Sequence, residues 1–200
     1  MTAEAEQIID LYNRNAEAWD RIRPRKLLER GWLERFRSFL TQGRSVLDIG
    51  CGTAEPIARF FIDAGYALTG IDAAPAMIDI CKRRFPSSSW IVADMRTLAL
   101  GEQFDGLLAW DSFFHLTPEH QRRMFPIFRE HAAPSAALLF TSGPRHGKAI
   151  GTFHGEPLYH GSLAAAEYRR LLKVNGFDVI ANVAEDPKCG GHTVWLARRR

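Results

Sequence analysis

Apolar positions follow two rhythms along this chain. Over the first forty residues they recur at helical spacing. Ile8, Ile9, Tyr12 and Trp19 lay an imperfect stripe along a helix over 3–20, which Pro24 breaks. Leu28, Trp32, Phe36 and the pair Phe39 and Leu40 mark a second helix over 25–41. The pattern changes at Gly43. From there, short β-rich runs predict strands over 45–50, 66–71, 89–93, 104–110, 136–142, 177–184 and 192–198, with helices near 54–64, 75–84, 118–131 and 163–174. Thr117-Pro118-Glu119 reads as an N-cap, a first-turn proline and an acidic first turn, and Asn175-Gly176 as a left-handed stop. Alternating strands and helices with continuous apolar strands imply an α/β fold whose parallel sheet is covered on both faces. Only Cys189-Gly190-Gly191 and a few polar residues join the last two strands, too little for a crossover helix, so that pair should be antiparallel.

Composition narrows the class. Of 200 residues, 46% are hydrophobic and 24% charged, enough for a real core and too apolar for a disordered chain. No linker-like stretch divides the sequence, so a single domain over 1–200 is expected, with a helical cap over 1–42 and a core over 43–200. No apolar run approaches the ~20 residues of a membrane span. The acidic start MTAEAEQIID lacks a signal-peptide segment. Cys51, Cys81 and Cys189 are too scattered for a disulfide framework, which makes a reduced, cytoplasmic protein the expectation. The net charge of +3 gathers in Arg21–Lys26, Lys82–Arg84 and Arg198–Arg200. A nucleic-acid binder needs a continuous basic face rather than such separate clusters. The seven histidines show no metal-ligand spacing, so no metal is expected.

Candidate chemistry sits where parallel strands end, because ligands of open α/β sheets gather outside the carboxyl ends. The first strand ends in VLDIGCGTAEP (46–56), where Gly50 and Gly52 permit a tight turn and expose backbone N–H groups. A dinucleotide fingerprint needs a third glycine at position 55, which Glu55 occupies, and no Gly-Lys-Ser/Thr of a P-loop is present. The second strand ends in GIDAAPAM (70–77), the third in VADM (92–95) and the fourth in FDGLLAWDSFFHL (104–116). Asp72 is placed to accept bonds from both hydroxyls of a ribose, or to cap the helix that follows. Asp94 lies beside the same crevice, where a turn aspartate is the plainer reading.

This ordered series resembles the class I S-adenosylmethionine-dependent methyltransferases over roughly 160 residues, the antiparallel last pair included. The resemblance implies a Rossmann-like seven-stranded, mostly parallel sheet with helices on both faces, an N-terminal helical cap, and S-adenosylmethionine as cofactor. It implies Gly50, Cys51 and Gly52 along the methionine part, Asp48 orienting that loop, Asp72 on the ribose and Ala73 near the adenine. Asp94 would bond the adenine amino group, Met95 would cover the ring, and Met77 and Trp110 complete the cofactor set. DLYNRNAEAWD (10–20) resembles the lid of related enzymes, so Tyr12 and Trp19 are cofactor candidates as well as core aromatics. Cys51 is read as a small loop residue rather than a nucleophile.

On the acceptor side, Phe113, Phe114, Tyr159 and His160 are candidate substrate contacts. His115 and His154 are candidate bases, with a structural histidine as the alternative for His115. The connection over 145–162 is long enough to suggest function, either as an acceptor-pocket wall or as a glycine-rich solvated loop. Enzymes that methylate exocyclic or amide nitrogens carry Asn/Asp-Pro-Pro-aromatic at the fourth strand, and Trp110-Asp111-Ser112-Phe113 replaces it here. A small-molecule acceptor, with oxygen preferred as nucleophile, is therefore expected of a monomer or homodimer. Two other readings stand beside it, a non-catalytic cofactor-binding regulatory module and a nucleic-acid methyltransferase. Glu55 speaks against a nicotinamide-dependent dehydrogenase.

Overall fold

The computed structural model describes residues 3–40 and 44–200. Gly43 and the end of the second predicted helix fall outside them. Three short helices, α1 (Ala3–Glu6), α2 (Ile8–Arg14) and α3 (Ala16–Ile22), replace the single predicted first helix. Of the second, α4 (Arg30–Arg37) is the helical part among the described residues. It buries Trp32, Leu33 and Phe36 on one side, and Leu28 before it is exposed.

The core then runs β1 (Ser45–Ile49), α5 (Ile57–Asp63), β2 (Ala67–Asp72), α6 (Pro75–Arg84), β3 (Ser89–Val92), β4 (Phe104–Ala109), α7 (Pro118–His131) and β5 (Ala132–Ser142). It continues through β6 (Gly147–Phe153), β7 (Glu156–Ser162), α8 (Ala165–Val174), β8 (Phe177–Asp186) and β9 (His192–Arg199). Seven strands form one sheet in the order β3-β2-β1-β4-β5-β9-β8, and β6 and β7 pair with each other apart from it. The strands from β3 to β5 are parallel, while β9 is antiparallel to both β5 and β8.

Strand periodicity of two explains the continuous apolar runs. Leu47, Leu107, Leu138 and Phe140 point into one core layer with Phe125, Phe128 and Trp195. Val46, Leu108, Leu139 and Leu196 point into the other with Phe36 and Phe61. Helices cover both layers, so no strand position needs a polar face. Gly106 on β4 lets the cap helix approach, since a Cβ there would stand 2.5 Å from Phe36 and 2.9 Å from Leu40. Trp32 Nε1 donates to Asp186 at 2.8 Å and ties α4 to the end of β8.

The caps form as expected. Thr117 accepts the His120 N–H at the start of α7, and Gly176 adopts φ +81 after α8. The connection over 145–162 is not an irregular loop. It is the β6–β7 hairpin, with in-register pairs from Gly147↔Ser162 to Phe153↔Glu156. Among the described residues no helix is long and apolar enough to cross a membrane.

Candidate active site

The strand order reverses between β1 and β4, and a crevice opens at their carboxyl ends, as the topology requires. The loop after β1 is held from two sides. Gly50 and Cys51 donate to the Ile71 carbonyl at 2.8 and 2.9 Å, and Ser112 Oγ donates to the Ile49 carbonyl at 2.6 Å. Gly50 has φ +77, and a Cβ on it would lie 2.3 Å from Ser112 Cβ, so no other residue fits. Asp72 divides its carboxylate between the Gly52 N–H at 3.0 Å and the Ala74 N–H at 2.9 Å. It therefore braces the turn into α6 and also fixes the glycine loop.

The cavity measures about 1230 Å3 out to its mouth. All the residues expected around a cofactor line it: Asp48, Gly50, Cys51, Gly52, Asp72, Ala73, Met77, Asp94, Met95 and Trp110 from the core, and Tyr12 and Trp19 from the cap. Asp48 is 4% exposed and accepts no hydrogen bond among the described residues, and burial raises its pKa to about 7. Burial likewise raises Asp72, to about 6. Such a carboxyl needs a cationic partner to ionise. A Cβ on Gly52 would meet only Trp19 Nε1, at 3.6 Å, so the space above the loop is open toward the lid. Asp94 is already engaged. Burial opposes its ionisation, but the Arg96 side chain holds it below the usual carboxylate value. Glu55, given no part at the sequence level, lines the cavity with its carboxylate paired to Arg59 at 2.7 Å. That pairing turns the negative charge away from a ligand.

A second cavity of about 770 Å3, also measured to its mouth, lies against the first. The two share Tyr12, Trp19, Asp111 and His115. Phe114 and His160 line the second, as expected. Three expectations need correction. Phe113 points into the core with no exposed surface, packed edge-on and tilted against Phe125, Phe128 and Phe140. Tyr159 is buried and offers its carbonyl, not its ring, to His115. His154 occupies the exposed tip of the hairpin at φ +50 and lines neither cavity.

His115 is the buried pivot of the shared wall. Its Nδ1 lies 2.8 Å from the Tyr159 carbonyl, which can only accept, so Nδ1 carries the proton and Nε2 accepts from Tyr12 Oη at 3.0 Å. Burial lowers its pKa to about 4. The sequence reading overlooked the neighbouring charge cluster. His192 Nε2 lies 3.0 Å from Asp111 Oδ1, and its Nδ1 lies 2.6 Å from the Cys189 carbonyl. Both partners are acceptors, an arrangement that favours the imidazolium, and the Asp111 hydrogen bond raises its pKa. Arg23 stands 3.7 Å from Asp111 and 3.3 Å from the buried Glu29. The antiparallel last strand is the signal that could have found His192: it brings the first residue of β9 to the carboxyl end of β5, at the site.

A Rossmann-like sheet with an antiparallel final pair, a glycine loop after β1 and an acidic residue ending β2 define the class I methyltransferase fold. Residues 46–135 match the family described as methyltransferase domain. Over those residues the chain is similar in sequence to this family, and over nearly its whole length it shares the class I methyltransferase fold. It is 34% identical over 106 residues to a dTDP-4-amino-2,3,4,6-tetradeoxy-D-glucose N,N-dimethyltransferase of Saccharopolyspora spinosa, covering 52% of this chain and 42% of that protein. It is 33% identical over 109 residues to a magnesium-protoporphyrin O-methyltransferase of Rhodobacter capsulatus, covering 52% and 46%. The match thus spans less than half the length of either relative. Among solved structures, an S-adenosylmethionine-bound amino pentose methyltransferase from Micromonospora echinaspora superposes with TM-score 0.72 at 18% identity, over 94% of this chain and 96% of that one. Magnesium protoporphyrin IX methyltransferase from Synechocystis, with bound S-adenosylhomocysteine, gives 0.72 at 17% identity over 98% and 100%.

Proposed function

We propose that this protein transfers a methyl group from S-adenosylmethionine to a small-molecule acceptor by in-line displacement, with an oxygen as nucleophile. The observation that carries this reading is the pair of adjoining cavities with one shared wall. One cavity matches the cofactor's parts, and the other leaves room for an acceptor beside it, which a purely regulatory binding module would not need.

The residues present fit the cofactor. Asp48 and the loop Gly50–Gly52 would receive its cationic methionine end, Asp72 its ribose, and Asp94 with Met95 its adenine. When bound, its sulfonium supplies a methyl carbon already activated toward nucleophiles. The protein's own task is then alignment and exclusion of water. Trp19 and Tyr12 close over the loop from the cap, Trp110 lines the first cavity, and Asp111 with His115 forms the floor between the two. An aliphatic ammonium acceptor would call for a free carboxylate at the shared wall. Asp111 stands there, but His192 and Arg23 already neutralise it. Neutral imidazoles beside it suit the hydroxyl of a phenol or enol better.

The two curated relatives, named for an amino sugar and a magnesium porphyrin, support a small acceptor. The basic clusters give no support to a nucleic-acid substrate. Arg83 and Arg84 are spent on Glu17 and Asp20, and Arg198 and Arg199 bond the Ser135 and Ala132 carbonyls in the first half of β5, away from its carboxyl end. Three free thiols support a reducing, cytoplasmic location.

Calorimetric titration with S-adenosylmethionine, and separately with NADH, tests the reading. Micromolar binding of the former, lost in Asp72→Ala with native circular dichroism retained, is the expected result. Binding of NADH alone would overturn it.

A further inference from the structure

Three histidines face the acceptor cavity, and they differ in what their ring nitrogens already do. His115 is spent on both sides, donating to the Tyr159 carbonyl and accepting from Tyr12. His192 faces two acceptors and has no lone pair to give. His160, on β7, has no hydrogen bond to either nitrogen among the described residues. Its ring stacks on His115 at 5.1 Å and 28°, and Phe114 meets it edge-on at 5.0 Å. It therefore sits one ring thickness from the wall that the two cavities share. Register with Ala149 across the hairpin puts no charged side chain opposite it. Burial lowers its affinity for a proton, and the Asp111 carboxylate only partly offsets that, so the ring is neutral near neutral pH.

We infer that His160 is the general base of this site, taking the proton from a hydroxyl or heteroaromatic N–H acceptor held in the second cavity. This rests on the methyl-transfer reading above. In the step, the acceptor's X–H bond breaks and its proton passes to a free ring nitrogen of His160. The electron pair left on X forms the bond to the methyl carbon as the carbon–sulfur bond breaks, its pair staying on sulfur. The positive charge that entered on the sulfonium leaves as the proton on His160, which solvent removes through the open mouth of the cavity. The stacked His115 positions the ring, and the hairpin that carries His160 is anchored at its root. There Gln121 donates to the Gly161 carbonyl at 2.8 Å while accepting from Tyr168 at 2.6 Å.

Two measurements test this. Phenols, enols and heteroaromatic N–H compounds are screened with tritiated methyl cofactor. On any that is labelled, His160→Gln should lower kcat about 100-fold and leave the KM for cofactor unchanged. Full turnover in that variant overturns the assignment. The second needs no acceptor. Diethyl pyrocarbonate acylates free neutral imidazoles, and peptide mapping at about pH 7 should find His160 modified about tenfold faster than His115 or His192. Saturating S-adenosylhomocysteine should not protect it, and its modification should not weaken S-adenosylhomocysteine binding. An unreactive His160, or one whose modification expels that ligand, overturns the proposal. If the unmodified protein does not bind S-adenosylhomocysteine, the methyl-transfer reading itself falls, and this one with it.

Discussion

The hydroxyl of Tyr12 donates to Nε2 of His115 at 3.0 Å, joining the cap to the loop after β4 across 103 residues of sequence. This bond fixes the tautomer of the buried imidazole and closes the lid over the cofactor cavity. Tyr12→Phe leaves a buried acceptor without its donor. We expect a loss of about 1–3 kcal/mol in stability, read from urea midpoints. An unchanged midpoint would mean that the hydroxyl is not seated there in solution.

Gly50→Ala and Gly52→Ala should separate two demands on one loop. Both residues have positive φ, so each substitution costs about 1–2 kcal/mol in backbone strain. Gly50→Ala adds a collision with Ser112 and should fail to fold or melt far lower. Gly52→Ala should fold and lose cofactor affinity, because its new methyl points toward Trp19. Thermal melts with calorimetry distinguish the two, and wild-type affinity in Gly52→Ala would contradict the placement.

The buried carboxyls predict an unusual pH response. Asp48 titrates at about 7 in the folded protein, above its ordinary value of 3.8, so the folded state binds that proton more tightly than the unfolded chain. Its contribution is full below about pH 3.8 and disappears as pH rises through about 7. Asp72 behaves the same way up to about pH 6. His115, lowered to about 4, runs oppositely, and its contribution is lost as pH falls from about 6.5 through about 4. Comparing wild type with Asp48→Asn isolates the first effect. The stability of wild type relative to the variant should fall between about pH 4 and pH 7. A rise over that window in denaturation midpoints would contradict the burial of Asp48.

Phe153 on the hairpin lies 5.6 Å from both Tyr12 and Trp19 and is buried between them. Phe153→Ala should speed amide exchange in α2, α3, β6 and β7 and leave β1, β4 and β5 protected. Glu156→Ala removes only an exposed ion pair with Arg14, and should change stability by less than about 1 kcal/mol. Equal effects of the two substitutions would show that charge rather than packing holds the lid.

Most of the sheet and the glycine-loop side of the first cavity could be read from the chain, because local signals there agree with the global fold. Continuous apolar strands demand two covered faces, and glycine at 50 and aspartate at 72 answer needs of the backbone itself. The acceptor side was less legible. His154-Gly155 adopts φ +50 and +80, a two-residue turn of the kind that glycine-ended pairs form between strands. With histidine in place of the usual asparagine or aspartate, the hairpin passed for a loop. Phe113 was misplaced because a strand-end aromatic carries no mark of which way it turns. The Asp111–His192 pair spans 81 residues and depends on the antiparallel return of β9, a tertiary fact that no local window contains.

The two ends of the β6–β7 insertion meet. Ser162 Oγ donates to the Gly143 carbonyl at 3.1 Å, and neither strand borrows a hydrogen bond from the seven-stranded sheet. A segment that shares no ladder with the sheet can be shortened, lengthened or exchanged while the strands beneath it keep their register, provided Phe153 and the Tyr159 carbonyl keep their contacts with the cap and His115. Selection could thus retune what enters the second cavity while the glycine loop after β1 and Asp72 stay as they are. An engineer could graft hairpins at the same two ends under the same condition.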